Sequence, residues 1–169
     1  VKKYSYPFLF AATISFLIVV FLFIVWKREI YQITFLRVST NRCMVVSAMV
    51  FSLFISLYFI NKGAVKSNKY IDYLKFYGGA CVSLLFIFLI PIITITYLVP
   101  GETSSYTVHY SYASGSYKSC SGADVDDPDL GTNIRICYPG GNYESDRVIF
   151  VQKRSNALGA VVLHATTSP

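Results

Sequence analysis

The sequence predicts a membrane protein: three transmembrane α-helices followed by a small C-terminal antiparallel β domain. Three observations predict it. Hydrophobic residues make up 54% of the chain and charged residues only 14%, with a mean hydropathy of +0.49, whereas soluble domains carry about a quarter charged residues. The apolar residues are gathered into long charge-free runs. Beyond residue 104 the pattern becomes a two-residue alternation broken by Gly- and Pro-containing turns, which is how half-buried strands read. Residues 1–99 therefore form the membrane region and residues 100–169 the β-rich domain.

The first span is expected over 7–26, where Pro7 to Trp26 gives 20 residues without a charge, long enough for a helix to cross the hydrocarbon. Lys2, Lys3, Tyr4 and Tyr6 fence it on one side and Trp26, Lys27 and Arg28 on the other, the residue types that favour headgroup level. A signal peptide is the rival reading, but its apolar core would be too long and no small-residue cleavage site precedes Lys27. The first residue is Val1 rather than Met, so further residues are expected upstream. The second span is expected over 43–60, between Arg42 and Asn61-Lys62, and the third over 76–98, ended by Pro100-Gly101. Pro91 falls inside the third, a position spans tolerate because neighbouring helices can satisfy the freed carbonyl.

None of these runs contains an ionisable residue other than Cys and Tyr. Proton relays and ion paths are usually marked by intramembrane Asp, Glu, Lys, Arg or His, so a transporter or pump is disfavoured. A pore built from several copies stays open. Small residues recur at four-residue spacing, Ala11/Ser15, Ala48/Ser52/Ser56 and Gly79/Ser83, and such stripes let helices approach closely. Packing within a three-helix bundle is the favoured use, with a homo-oligomer interface as the alternative.

An odd number of spans puts the two ends of the chain on opposite sides. Residues 1–99 carry ten Lys/Arg against Glu29 and Asp72, while 100–169 carry five against seven acids. Basic charge thus sits beside the apolar runs, as membrane proteins place it, and direct nucleic-acid binding is not expected. With the N-terminus cytoplasmic, Lys2, Lys3, Lys62, Lys66, Lys69 and Lys75 lie inside; the reverse leaves only Lys27, Arg28, Arg37 and Arg42 there. The bias favours the first arrangement. Cys43 and Cys81 fall within spans, where a thiol acts as a small apolar group. Cys120 and Cys137 are the only pair in the tail, and a disulfide between them would enclose the Gly- and Asp-rich segment 121–136. Disulfides persist in the periplasm or outside the cell but not in cytosol, so the tail is expected on the outer side of the membrane.

Ser67 to Lys75 reads as a short amphipathic helix, capped by Ser67 or Asn68, on the inner membrane surface and leading into the third span. Tyr31 to Val38 admits two readings: a strand added to the tail domain on its own side of the membrane, or a short interfacial helix. In the tail, Tyr106, Val108, Tyr110 and Tyr112 alternate with polar residues; Thr132–Tyr138, Arg147–Gln152 and Ala160–Ala165 read as further strands, with a turn at Pro139-Gly140-Gly141-Asn142. A single sheet of about four or five strands is expected.

Candidate chemistry is sparse. Asp124, Asp126, Asp127 and Asp129 could offer oxygens to Ca²⁺, but Pro128 and the lack of a following Glu break the EF-hand pattern, and a solvated turn is favoured. His109 and His164 are too few for zinc. No nucleophile elbow or Ser-x-x-Lys motif stands in the tail, so no cofactor, metal or enzymatic activity is expected. The tyrosines at 106, 110, 112, 117, 138 and 143 are of the type that dominates binding surfaces, although those on the alternating face are expected in the core. In architecture, through its short chain, uncharged runs and small outer tail, the chain resembles the inner-membrane exclusion proteins of prophages and conjugative plasmids and the membrane immunity proteins against bacterial toxins. That resemblance implies a protective role through contacts with another envelope or foreign protein, and it carries over no residue. The alternative is an accessory subunit of a larger envelope complex.

Overall fold

The computed structural model describes residues 6–63, 70–117 and 119–169. The expected cap at Ser67 or Asn68, and the basic residues Lys2, Lys3, Lys66 and Lys69, lie outside them. Three helices are long and apolar enough to cross a membrane: α1 (Tyr6–Trp26), α2 (Val38–Asn61) and α3 (Tyr70–Leu98). The last turn of α1 widens to a π-helix over Lys27–Tyr31. Residues 70–75 are not a separate surface helix. They are the first turns of α3, because nothing between Lys75 and Phe76 breaks the hydrogen-bond ladder.

α2 and α3 pair along their length. Phe51 meets Phe88 and Phe59 meets Phe76 edge to face, the arrangement that aromatic quadrupoles prefer. Met44, Ala48, Ser52 and Ser56 form the buried stripe of α2. Gly79 and Ser83 are exposed, so the α3 half of the expected small-residue contact faces away from α2; α3 meets its neighbour through larger side chains. The expected three-helix bundle is also corrected. No residue of α1 is buried, and Ala11 and Ser15 are exposed with the rest. Its contact with α3 is at its end, where the Trp26 indole donates to Thr94 Oγ1 at 2.9 Å. A helix apolar all round has no preferred inner stripe to dock.

The β domain is two packed sheets rather than one. The larger runs β1 (Thr34–Leu36), β7 (Gly159–Ser168), β6 (Val148–Ser155), β2 (Glu102–His109); the smaller runs β3 (Ser111–Ala113), β4 (Gly122–Asp127), β5 (Thr132–Cys137). All pairings are antiparallel. The alternating tyrosine segment was expected to be one strand. It breaks at Tyr110 and passes from one sheet to the other, with the Tyr110 hydroxyl donating to Tyr143 O at 2.9 Å. The Tyr31–Val38 segment resolves in favour of a strand, since β1 pairs with β7 in the register Thr34↔Val161, Phe35↔Ala160, Leu36↔Gly159. Gly159 is required there: a Cβ would sit 2.1 Å from Phe35 O.

Ala123, Val125, Ile134 and Ile136 of the smaller sheet pack with Leu130 against Ile149, Val151, Ala160 and Val162 of the larger. The acidic segment 124–129 is therefore not a solvated turn. Its first half is strand β4, whose inward row is Ala123, Val125 and Asp127 and whose outward row is Asp124 and Asp126. Asp124 holds Arg135 of β5 through two hydrogen bonds, at 2.7 and 2.8 Å. The turn proper is Pro128–Gly131, closed by Gly131 N–H to Asp127 O at 3.0 Å, with Gly131 at φ +66°.

The sandwich is fastened to the helix ends by the β6–β7 turn. Asn156 Nδ2 donates to Thr96 O (2.9 Å) and Val99 O (3.3 Å), and Arg154 Nη2 to Tyr97 O (2.5 Å). These bonds satisfy carbonyls that the end of α3 leaves open. Arg37, the residue before α2, donates its N–H to Leu158 O at 2.9 Å.

Candidate functional site

Two features of the β domain stand apart from ordinary packing, a surface groove and a buried ionic centre. The groove opens between the edge strands β1 and β5, where the two sheets do not close over each other. It encloses about 370 Å³, floored by Phe35, Ile136 and Val162 and rimmed by Gln32, Tyr138 and His164. Cys137 lines it and is joined in a disulfide to Cys120, with Cα atoms 5.6 Å apart. The segment 121–136 that they enclose is the β4–β5 hairpin, and Gly122 pairs with Cys137 at its open end.

Tyr138, the residue after the disulfide, has φ +48°. Bulky residues seldom adopt this left-handed conformation, which costs roughly 1–3 kcal/mol and persists where surroundings impose it. The disulfide on one side, Pro139-Gly140 on the other and the Tyr138 N–H to Ser121 O bond (3.1 Å) impose it here. The strained backbone presents the ring at 66% exposure. Tyr112 packs against Tyr143 at 6.3 Å and is itself exposed, and Ser121 Oγ reaches the Tyr112 hydroxyl at 3.4 Å. Tyr117 is fully exposed. Of the six tail tyrosines, 106 and 110 lie partly buried against the core. Tyr138 follows the disulfide directly in the chain, and Tyr112 and Tyr143 pack on each other next to Ser121.

The ionic centre lies between the sheets. Ile149, Val151 and Lys153 form the inward row of β6, so alternation carries a lysine into the core. Its Nζ lies 2.5 and 2.6 Å from the two oxygens of Asp127 and 2.8 Å from Asp129 Oδ2. Lys153 is 1% and Asp127 2% exposed. Asp127 Oδ1 also accepts the backbone N–H groups of Asp129 (2.9 Å) and Leu130 (3.0 Å), and Oδ2 accepts the Tyr106 hydroxyl at 3.0 Å. The Lys153 ammonium stands over the Tyr106 ring, 4.8 Å from its centre. Burial alone would raise the Asp127 carboxyl, but the bonds from Lys153, Leu130 N–H and Tyr106 outweigh it and hold it below its ordinary value. Burial, then the nearby Asp127 charge, pushes the Tyr106 hydroxyl far above the usual phenol range.

Among the described residues no group of three or more His, Cys, Asp or Glu side chains is placed to hold a metal ion. His109 Nδ1 lies 3.3 Å from Arg147 O and His164 Nε2 2.7 Å from Thr166 Oγ1. Neither Lys153 nor the αL backbone of Tyr138 was singled out from sequence. The signal for Lys153 was present: continuing the alternation of Ile149 and Val151 by two residues places it inside. No comparable signal marks Tyr138, since Cys-Tyr-Pro-Gly reads as a turn without specifying which residue takes positive φ. No protein-family model, curated protein or solved structure matches the chain.

Proposed function

We propose that the chain is a multi-pass membrane protein of the bacterial inner membrane that presents its β-sandwich to the periplasm as a protein-binding module. The single observation that carries the binding role is Tyr138. An exposed aromatic ring held in a costly backbone conformation, beside an open groove with apolar floor and polar rim, is what a recognition anchor requires. Among the described residues β1 and β5 are each paired on one side only, so an extended segment of a partner would find both backbone hydrogen bonds and side-chain room. The periplasmic orientation draws support from the Lys/Arg bias of the flanking segments, and from a disulfide that would not last in cytosol. The biological role is protective: the module binds an envelope or foreign component through which phage DNA, plasmid DNA or a toxin would enter.

Tyr138→Gly separates binding from folding. Glycine relieves the αL strain, so the variant should be at least as stable as the parent while losing the anchor. Cells expressing the parent chain are challenged with phage, with conjugating donors and with toxin; resistance to one class, lost in Tyr138→Gly, is the expected result. Sensitivity of the parent to all three would sink the protective role, and undiminished resistance in the variant would sink the assignment of the groove. For orientation, thiol labelling of the denatured, unreduced chain should mark Cys43 and Cys81 alone; labelling of all four cysteines would contradict the periplasmic placement.

A further inference from the structure

We propose that Lys153 and Asp127 condense within the folded domain to an amide, covalently joining β6 of one sheet to β4 of the other. A nitrogen 2.5 and 2.6 Å from both oxygens of one carboxyl lies within about 3 Å of its carbon, the separation of a near-attack pair. The partners sit on different sheets and are held by the core around them, Val125 and Leu130 on one side and Val151 on the other, so the approach is preorganised.

The surrounding groups match the needs of acyl condensation. Asp127 Oδ1 is held by the N–H groups of Asp129 and Leu130, a two-donor oxyanion site for the charge that gathers as nitrogen adds. Asp129 Oδ2, 2.8 Å from Nζ on a side chain 47% exposed, serves as the base, with solvent behind it. The Tyr106 hydroxyl donates to Oδ2, the oxygen that departs. In sequence, Nζ passes one proton to Asp127 Oδ2, leaving a neutral amine against a neutral carboxylic acid; the lone pair attacks Cγ, a C–N bond forms, and Asp129 takes a second proton from the nitrogen. Asp129 then returns that proton to Oδ2 as the Cγ–Oδ2 bond breaks, so that oxygen leaves as water carrying two of the three ammonium protons. Oδ1 stays as the amide carbonyl and one proton stays on nitrogen. Ammonium plus carboxylate become amide plus water, with no oxidant, reductant or co-reactant. Removal of two opposite charges from a water-poor core favours the product.

The test is the intact mass of the full chain purified in detergent, taken on the fraction bearing the Cys120–Cys137 disulfide and so folded, then reduced. The expected mass is lower than the sequence requires by one water, and fragmentation should give a branched peptide joining the segments around Asp127 and Lys153. Lys153→Arg should restore the full mass. Asp127→Asn should still cross-link, losing ammonia in place of water. Asp129→Asn should accumulate uncondensed chain while leaving the disulfide formed. A full-mass parent chain overturns the proposal, and so does a water loss that maps to one unbranched peptide. The mass of the parent decides the matter even where a Lys153 variant fails to fold.

Discussion

Replacing both Cys120 and Cys137 by serine removes the closure at the open end of the β4–β5 hairpin, and the size of the effect follows from the loop. The two residues are separated by 17 positions, and in the chain-entropy description opening a loop of that length costs about 3 kcal/mol. Both cysteines are only partly buried, so serine hydroxyls can be solvated and add no large penalty of their own. For a β domain of about 70 residues each kcal/mol moves the unfolding temperature by about 4–8 °C, giving an expected fall of about 12–24 °C. The assay is thermal unfolding of the full chain in detergent, followed by the β signal in far-ultraviolet circular dichroism while the helical signal serves as internal reference. The full chain is needed because β1 comes from the segment between α1 and α2. Unfolding of the β signal at the parent temperature would refute the reasoning, since the disulfide would then constrain nothing that folding must order. Loss of the Tyr138 conformation should accompany the destabilisation, because Cys137 and Ser121 both hold it.

Other substitutions probe the remaining junctions. Gly159→Ala drives a methyl into Phe35 O and Leu36 Cα, backbone that cannot swing aside, and should cost about 1–3 kcal/mol; hydrogen exchange should rise at Val162, whose N–H bonds Ile33 O, and unchanged protection there would count against the β1 register. Measured against uncondensed parent chain, Lys153→Met leaves the Asp127 carboxylate buried without its cation and should destabilise the sandwich by about 3–5 kcal/mol, read by denaturant unfolding of the β signal; a loss under 1 kcal/mol would be incompatible with the buried pair. Asp127 has a folded-state pKa below its ordinary 3.8, so in uncondensed chains its contribution is complete above that value and is lost as pH falls through the lower folded one; acid titration of the β signal should show this step, and condensed chains should lack it. Asn156→Ala deletes the donors to Thr96 O and Val99 O and the acceptor for Leu158 and Gly159 N–H. It should cost about 1–3 kcal/mol and speed proteolysis at Pro100-Gly101; cleavage at the parent rate would argue against Asn156 as the fastening between helices and sandwich.

Much of the architecture was legible because it depends on short-range rules. Charge-free runs marked the three apolar helices, and β-branched and aromatic alternation marked β2, β5, β6 and β7. The segment from Tyr31 to Val38 left strand and interfacial helix both open, because its β-branched and aromatic residues alternate only roughly; pairing with β7 decides for a strand, and only Thr34 to Leu36 form it. β4 escaped notice because Asp124, Asp126 and Asp127 are poor strand formers, and their local preference for turns was overridden by the core contacts of Ala123 and Val125. The break at Tyr110 escaped for a related reason, since alternation continues unchanged across a strand that moves from one sheet to the next.

By itself the sequence determined which segments are apolar enough to leave water, which alternate with the pleat of a sheet, and that the tail has one pair of cysteines to join. Those are properties of a residue and its near neighbours. The tertiary structure alone decided that α1 stands apart from the α2–α3 pair, that the strands divide into two sheets, and that Tyr138 is forced into a left-handed backbone beside an open groove. It alone also decided that Lys153 meets Asp127. A lysine on the inward row of β6 is a defect until a carboxylate 26 residues earlier in the chain is brought against it, and a buried charge is tolerated only when its partner arrives from elsewhere in the fold.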